Sequence, residues 1–333
     1  MRGAKASTRV LVIGGTGFVG RAVGRALGAA GVDAISASRR TGGVDEYARH
    51  MAIDRQDEGD LARLLKEIDP DVVVDLACYQ PFELEAIMRT TGARRYIFAS
   101  AQNVYLLNGR APAEDDFVPL TGEVMARVAD PLADGAAYTL GKQWCETLLL
   151  QSAGFPYVSL RLPAVFGRRD HTHRITAYMQ RVDDGGPLLV PDETIDLPTI
   201  LAWVDDIGRA VAAACDLGRD VDRQAFNLAY DNLTGVQFIE TLGQAMGREV
   251  DLVRVPIAEI PPFAAAYGPH AQLPGSVVAR AQAGLDFSPA PLREALDDCV
   301  AWFREERPES PLDTGRSAEV AQAASMKNKT KPL

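Results

Sequence analysis

The first half of the chain alternates short apolar runs with amphipathic stretches. Val10–Ile13 is four apolar residues in a row, the pattern of a parallel strand buried on both faces. A helical pattern follows through Arg21, Ala22, Val23, Arg25, Ala26 and Leu27 and stops at Gly31. Residues 32–38 and 50–53 then read as the second and third strands. Over 57–68, Leu61, Leu64, Leu65 and Ile68 fall at i, i+3, i+4 and i+7, one face of a helix that Pro70 closes. The run DVVVDLA at 71–77 is a buried strand, 81–91 a helix, 95–100 a strand, 135–153 a helix and 157–163 a strand. This alternation predicts an α/β fold built on a doubly wound parallel sheet.

The second half is less regular and has no internal repeat. Strand-like patches at 188–190, 225–228 and 250–255 alternate with helical patterns at 205–216, 234–246 and 291–304. Residues 105–135 are rich in Pro, Gly and acids, as expected of a long loop over a site. The prolines between 256 and 274 predict a lid or small irregular domain. Beyond Pro308 the chain is polar, so 309–333 is expected to be a disordered tail. The division expected is a nucleotide-binding domain over 1–168, to which 196–230 returns. A smaller, mostly C-terminal substrate-binding domain would comprise 169–195 and 231–308.

The junction of the first strand and helix carries chemistry. Gly14, Gly17 and Gly20 form G-x-x-G-x-x-G within VLVIGGTGFVG. Glycine there permits a tight turn, close approach of backbone to a pyrophosphate and close helix–strand packing. The helix N-terminus would present free N–H groups and a partial positive charge to the phosphates. A dinucleotide site is therefore expected. The second strand ends in Ser38, Arg39 and Arg40 rather than in the acid that accepts from adenosine ribose hydroxyls. Arginine suits a 2′-phosphate, which favours NADP(H) over the alternative, NAD. Asp54, after the third strand, is the expected adenine contact.

Composition narrows the class. The 333 residues carry a formal charge of −10 and no basic stripe, which argues against a nucleic-acid surface. No apolar run would span a bilayer, and Met1 to Thr8 lacks a secretory apolar core, so a cytoplasmic protein is expected. The four cysteines, Cys78, Cys145, Cys215 and Cys299, lie in apolar surroundings without a C-x-x-C pair and read as core residues.

In YTLGK, Tyr138 and Lys142 stand four apart on one helix face. An ammonium beside a phenol lowers its pKa from about 10 towards neutrality, making it a proton donor or acceptor for a carbonyl–alcohol interconversion. Together with GGTGFVG, DVVVDLA, RYIFASAQNVY, LRLPAVFG and WVDDIGRAV, in this order, the chain resembles the extended short-chain dehydrogenases/reductases of the NAD-dependent epimerase/dehydratase group over roughly residues 8 to 305. The resemblance implies a Rossmann domain, with Tyr138 and Lys142 catalytic and Lys142 also on the nicotinamide ribose. It implies cofactor contacts from Gly14, Thr16, Gly17, Phe18, Gly20, Arg39, Asp54, Leu76, Ala77, Tyr138, Lys142 and Pro163, and a homodimer formed through the helix bearing Tyr138.

Three departures from the family pattern bear on the reaction. The family's Ser or Thr, three residues before the valine of the VY pair, is Ala101 here. Ser100 is one residue earlier, and in a strand it would face the other way. Either a bulge brings Ser100 into the site, or Gln102 or Asn103 takes its place. Gln102 and Asn103 also stand where family dehydratases carry an acid pair, which argues against sugar dehydration. Ala164 and Thr199 stand where nucleotide-sugar members place a diphosphate-gripping Asn and Arg. The expected activity is thus NAD(P)(H)-dependent oxidoreduction on a small non-nucleotide metabolite. The alternatives are an epimerase that retains its cofactor, and a non-catalytic NAD(P)-sensing or RNA-binding member. His171 and His173, in an H-x-H pair, are expected as loop residues or substrate contacts, with no metal site.

Overall fold

The structure is a computed structural model, and it describes residues 8–105, 109–122, 135–260, 275–309 and 315–329. Among the described residues, seven strands form one parallel sheet: β1 (Val10–Ile13), β2 (Ala34–Ser38), β3 (Arg49–Ala52), β4 (Val72–Asp75), β5 (Arg95–Ala101), β6 (Tyr157–Leu162) and β10 (Gln224–Asn227). The spatial order is β10-β6-β5-β4-β1-β2-β3. Every pairing is parallel, with Ile13 opposite both Ala37 and Asp75, and Ser100 opposite Arg161. The order reverses direction at β1 and β4, and the crevice beyond the carboxyl ends of those strands is where such a sheet binds ligands.

Helices cover both faces. On one side are α1 (Phe18–Ala29) and α6 (Val204–Ala214). Gly208 of α6 lies so close to α1 that a Cβ there would come within 2.5 Å of the Ala22 carbonyl oxygen. On the other side, Leu61, Leu64, Leu65 and Ile68 of α2 (Glu58–Ile68) pack with Leu84 and Ile87 of α3 (Pro81–Thr90) and with Cys145 and Leu149 of α4 (Gly135–Gln151). Asp57 caps α2 by accepting the Asp60 N–H at 3.0 Å, and Pro81 stands at the first position of α3.

A second apolar cluster joins α5 (Arg174–Asp184), α7 (Gly235–Met246) and α9 (Leu292–Glu306) beside the parallel pair β8 (Leu188–Pro191) and β11 (Leu252–Val255). Short strands β7 (Ala164–Phe166) and β9 (Leu201–Trp203) pair where the chain passes between the two clusters. The sequence pattern places 231–308 together, yet α8 (Ala279–Leu285) and Phe287 pack into the central core against β10. A second difference concerns 309–333, expected as a disordered tail. Within it α10 (Arg316–Lys329) lies on β8, its Ala323 buried with Leu189 and Val253. A buried ion pair between Arg181 and Glu319 at 2.9 Å ties it to α5.

Candidate active site

The turn from β1 to α1 is built for backbone contact with a ligand. Gly14 has φ +85°, and its position touches the Cβ atoms of Leu76 and Ala77, at 3.3 and 3.4 Å from where its own Cβ would lie. A Cβ on Gly20 would overlap the carbonyl oxygens of Gly14 and Gly15. Gly17, the N-cap of α1, supplies no side-chain cap, and the first turn holds no acid. The free N–H groups of that turn are thereby left for an external anion. This cradle fits a dinucleotide pyrophosphate. At the end of β2, Thr16 and Ser38 share a hydrogen bond of 2.9 Å, and Ser38 Oγ accepts the Arg40 N–H at 3.2 Å. Arg39, Arg40 and Asp54 are exposed at the same rim, and Phe18 and Pro163 are half-buried. The Asp54 carboxylate accepts the Gln56 N–H at 3.0 Å.

Under the adjoining loop between β4 and α3 lies a buried charge network that the sequence reading missed. Asp75 is fully buried and accepts from Arg55 at 2.8 Å, from Tyr96 Oη at 3.1 Å and from the Ala77 N–H at 3.1 Å. Glu83 accepts the N–H groups of Tyr79 at 2.6 Å and Gln80 at 2.9 Å. Each charge is thus partnered, as burial demands, and Leu76 to Gln80 are held rigidly. The one available signal was an aspartate closing an apolar strand.

Tyr138 and Lys142 come from α4, as their spacing predicts, but their electrostatics differ from expectation. Lys142 is buried, and its Nζ donates to the carbonyl oxygens of Cys78 at 2.7 Å and Ala99 at 2.5 Å. It lies over ring faces: 4.8 Å from the centroids of Tyr79 and Phe98 and 5.8 Å from that of Tyr138. Burial pushes the lysine below its ordinary pKa. It does not pull the phenol down. Burial, with Tyr79 beside it, pushes Tyr138 up to about 12. The expected drop towards neutrality is therefore corrected: the ammonium is committed to two carbonyls, and Tyr138 is a neutral phenol.

The end of β5 holds Ser100 and Ala101 buried without a bulge, in unbroken register with Arg161 and Leu162 of β6. Ser100 Oγ has no hydrogen-bond partner. Ser100 alternates with Tyr96 and Phe98, which pack on the α4 side, so the bulge alternative is not realised. Gln102 is fully buried, its amide donating to the carbonyls of Leu228 at 3.1 Å and Arg161 at 3.4 Å, while its amide oxygen has no partner. Asn103 is exposed. His171 is exposed with its ring 6.2 Å from that of Phe18, and His173 is the N-cap of α5 at φ +56°. Neither joins Tyr138 in a contact. Among the described residues, no group of three His, Cys, Asp or Glu could hold a metal, and no helix is long and apolar enough to cross a membrane. All four cysteines are free and buried; Cys78 and Cys145 meet at 4.0 Å between their sulfurs, beneath Lys142.

These features define a dinucleotide-binding α/β protein with a tyrosine–lysine pair at the switch point of its sheet. Residues 10–229 match the NAD dependent epimerase/dehydratase family, and the chain belongs to it. Three solved structures share the fold. UDP-glucose 4-epimerase of Thermotoga maritima is 21% identical with a TM-score of 0.68, the match covering 90% of this chain and 100% of that one. UDP-glucuronic acid 4-epimerase of Bacillus cereus, solved with UDP-glucuronic acid and NAD, is 18% identical at 0.66, covering 90% and 100%. UDP-glucose 4-epimerase of Thermus thermophilus, solved with NAD, is 20% identical at 0.63, covering 89% and 99%. No curated protein matches the chain significantly.

Proposed function

We propose that this chain is an NAD(P)-dependent reductase of a carbonyl group on a small metabolite that carries no nucleotide diphosphate, with Tyr138 as the proton donor. The observation that carries the reading is the placement of Tyr138, with Lys142 of the same helix, against the Tyr79 loop whose Leu76 and Ala77 pack on Gly14 of the glycine cradle. A nicotinamide cofactor held at the Gly14–Gly20 turn would supply the hydride for the carbonyl carbon. The Tyr138 phenol would give its proton to the oxygen. NADP(H) is favoured by the exposed Arg39 and Arg40 and by the lack of a carboxylate at the end of β2. Ala164 and the buried Thr199 offer no charge to a diphosphate, which supports a substrate without one. A homodimer through α4 belongs to the same proposal: Leu150 on α4 and Phe82 on the neighbouring α3 are exposed apolar residues.

The test is net consumption of NADPH against a panel of carbonyl compounds. Stoichiometric loss of nicotinamide absorbance, matched by alcohol formed, is the expected result. A second reading, an epimerase that keeps its cofactor, is favoured by the similarity to UDP-sugar 4-epimerases across nine-tenths of the chain. Interconversion of isomers with no net change in absorbance would establish it and displace the reductase.

A further inference from the structure

Among the described residues, no hydroxyl from the end of β5 is hydrogen-bonded to Tyr138. Ala101 occupies the position of the family's Ser or Thr, the buried Ser100 Oγ makes no hydrogen bond, and the Gln102 amide is used by backbone carbonyls. A different phenol does stand beside Tyr138, and it comes from the loop after β4. The Tyr79 ring centroid is 6.1 Å from that of Tyr138, with the planes tilted by 46°. Both rings open to solvent, at 45% and 38% exposure. Neither hydroxyl has a hydrogen-bond partner among the described residues, and Lys142 Nζ lies against both rings, nearer to Tyr79.

Two features of this chain hold Tyr79 there. Its N–H donates to Glu83, which fixes the loop from the α3 side. Its carbonyl oxygen sits against Gly141, between Tyr138 and Lys142 on α4, where any Cβ would overlap it. Glycine at 141 therefore lets the loop close onto the catalytic helix. Among the described residues, the titratable and charged groups around Tyr79 are Asp75 of β4, Cys78 of the same loop, Glu83 of α3, Arg55 of the β3–α2 connection, and Tyr138 and Lys142 of α4. Burial and the two carboxylates keep its phenol above the ordinary value, and so protonated.

We propose that Tyr79 supplies the second hydroxyl at the reacting oxygen, in the part that the family gives to the residue replaced here by Ala101. The inference rests on the reading of Tyr138 as proton donor. In the reductive direction the O–H bond of Tyr138 breaks and a new O–H bond forms on the substrate oxygen. Tyr138 is left as a phenolate that regains a proton from water. Tyr79 keeps its own proton and stabilises the oxyanion by a hydrogen bond throughout. Two phenols converging on one oxygen form an oxyanion site without a serine.

An oxyanion probe tests this without turnover. Binding of para-nitrophenolate to protein saturated with oxidised nicotinamide cofactor would be followed by its absorbance shift. Circular dichroism would confirm that each variant is folded. The expected result is that the parent protein binds the probe and that Tyr79→Phe, which keeps the ring and its packing, weakens binding about tenfold or more. Equal binding by the parent and Tyr79→Phe, or no binding by the parent, overturns the proposal. If Tyr138→Phe binds the probe as well as the parent does, the assignment of Tyr138 itself falls, whatever Tyr79→Phe does.

Discussion

The two halves of the site, side by side at the carboxyl edge of one sheet, are built by different means. The cofactor half, from β1, α1 and the end of β2, depends on absent side chains: Gly14 and Gly20 let the turn close tightly, and Gly17 leaves the start of α1 without a side-chain cap. The reaction half, from the loop after β4, the end of β5 and α4, depends on side chains brought from separate elements: Tyr79, Lys142 and Tyr138 meet over the carbonyls of Cys78 and Ala99. Backbone geometry constrains the first half tightly, so it keeps the family pattern. The second half can exchange one hydroxyl source for another while the sheet is unchanged. Change of substrate within such a fold is expected on that side.

Substitutions separate the halves. The largest effect is expected at Gly20→Val, where the new side chain meets the Gly14 and Gly15 carbonyls. Overpacking of this kind costs about 1–3 kcal/mol, and the distorted cradle should lose cofactor binding altogether. Thermal denaturation and nicotinamide fluorescence would read both; retained affinity would show that the cradle is not the cofactor site. Next comes Tyr138→Phe, expected to lower turnover roughly a hundredfold while cofactor affinity survives. Full activity in that variant would move the proton donor elsewhere.

Arg39→Ala should narrow the preference for NADPH over NADH. Loss of a charged hydrogen bond to phosphate costs up to about 1.5–3 kcal/mol, and the exposure of Arg39 puts the expected change near the low end. Paired titrations with the two cofactors would measure it, and equal affinities in the parent protein would return the assignment to NAD. Smallest is Ser100→Ala. Its hydroxyl is buried without a partner, so its removal should leave turnover within about twofold and raise stability by up to about 1 kcal/mol. A loss matching that of Tyr138→Phe would place Ser100 at the reacting oxygen after all.

What the sequence made legible follows the same division. Glycine spacing, apolar strands and helical periodicity are local, and β1 to β6 with α1 to α4 lie within a few residues of where the pattern puts them. Lys142 shows the limit. Its spacing from Tyr138 fixes the helix face, but its partners are carbonyls of β5 and of the loop after β4, which only the assembled sheet brings together. Helix α5 went unread because it starts at His173 in a left-handed conformation, without a Ser, Thr, Asp or Asn cap. Helix α10 is polar by composition, and the Arg181–Glu319 ion pair that docks it spans 138 residues. Tyr79 carries no local signal of its position, because nothing in the sequence around it shows that Gly141 makes room for it.

The central proposal to test is that the cofactor half binds NADPH and the reaction half takes a substrate without a nucleotide diphosphate. Calorimetric titration tests it most directly: NADPH first, then UDP-glucose into the cofactor-saturated protein. The expected result is a strong binding isotherm for NADPH and no saturable heat for UDP-glucose. A dissociation constant in the low micromolar range for UDP-glucose would contradict the claim and put the sugar epimerase reading first.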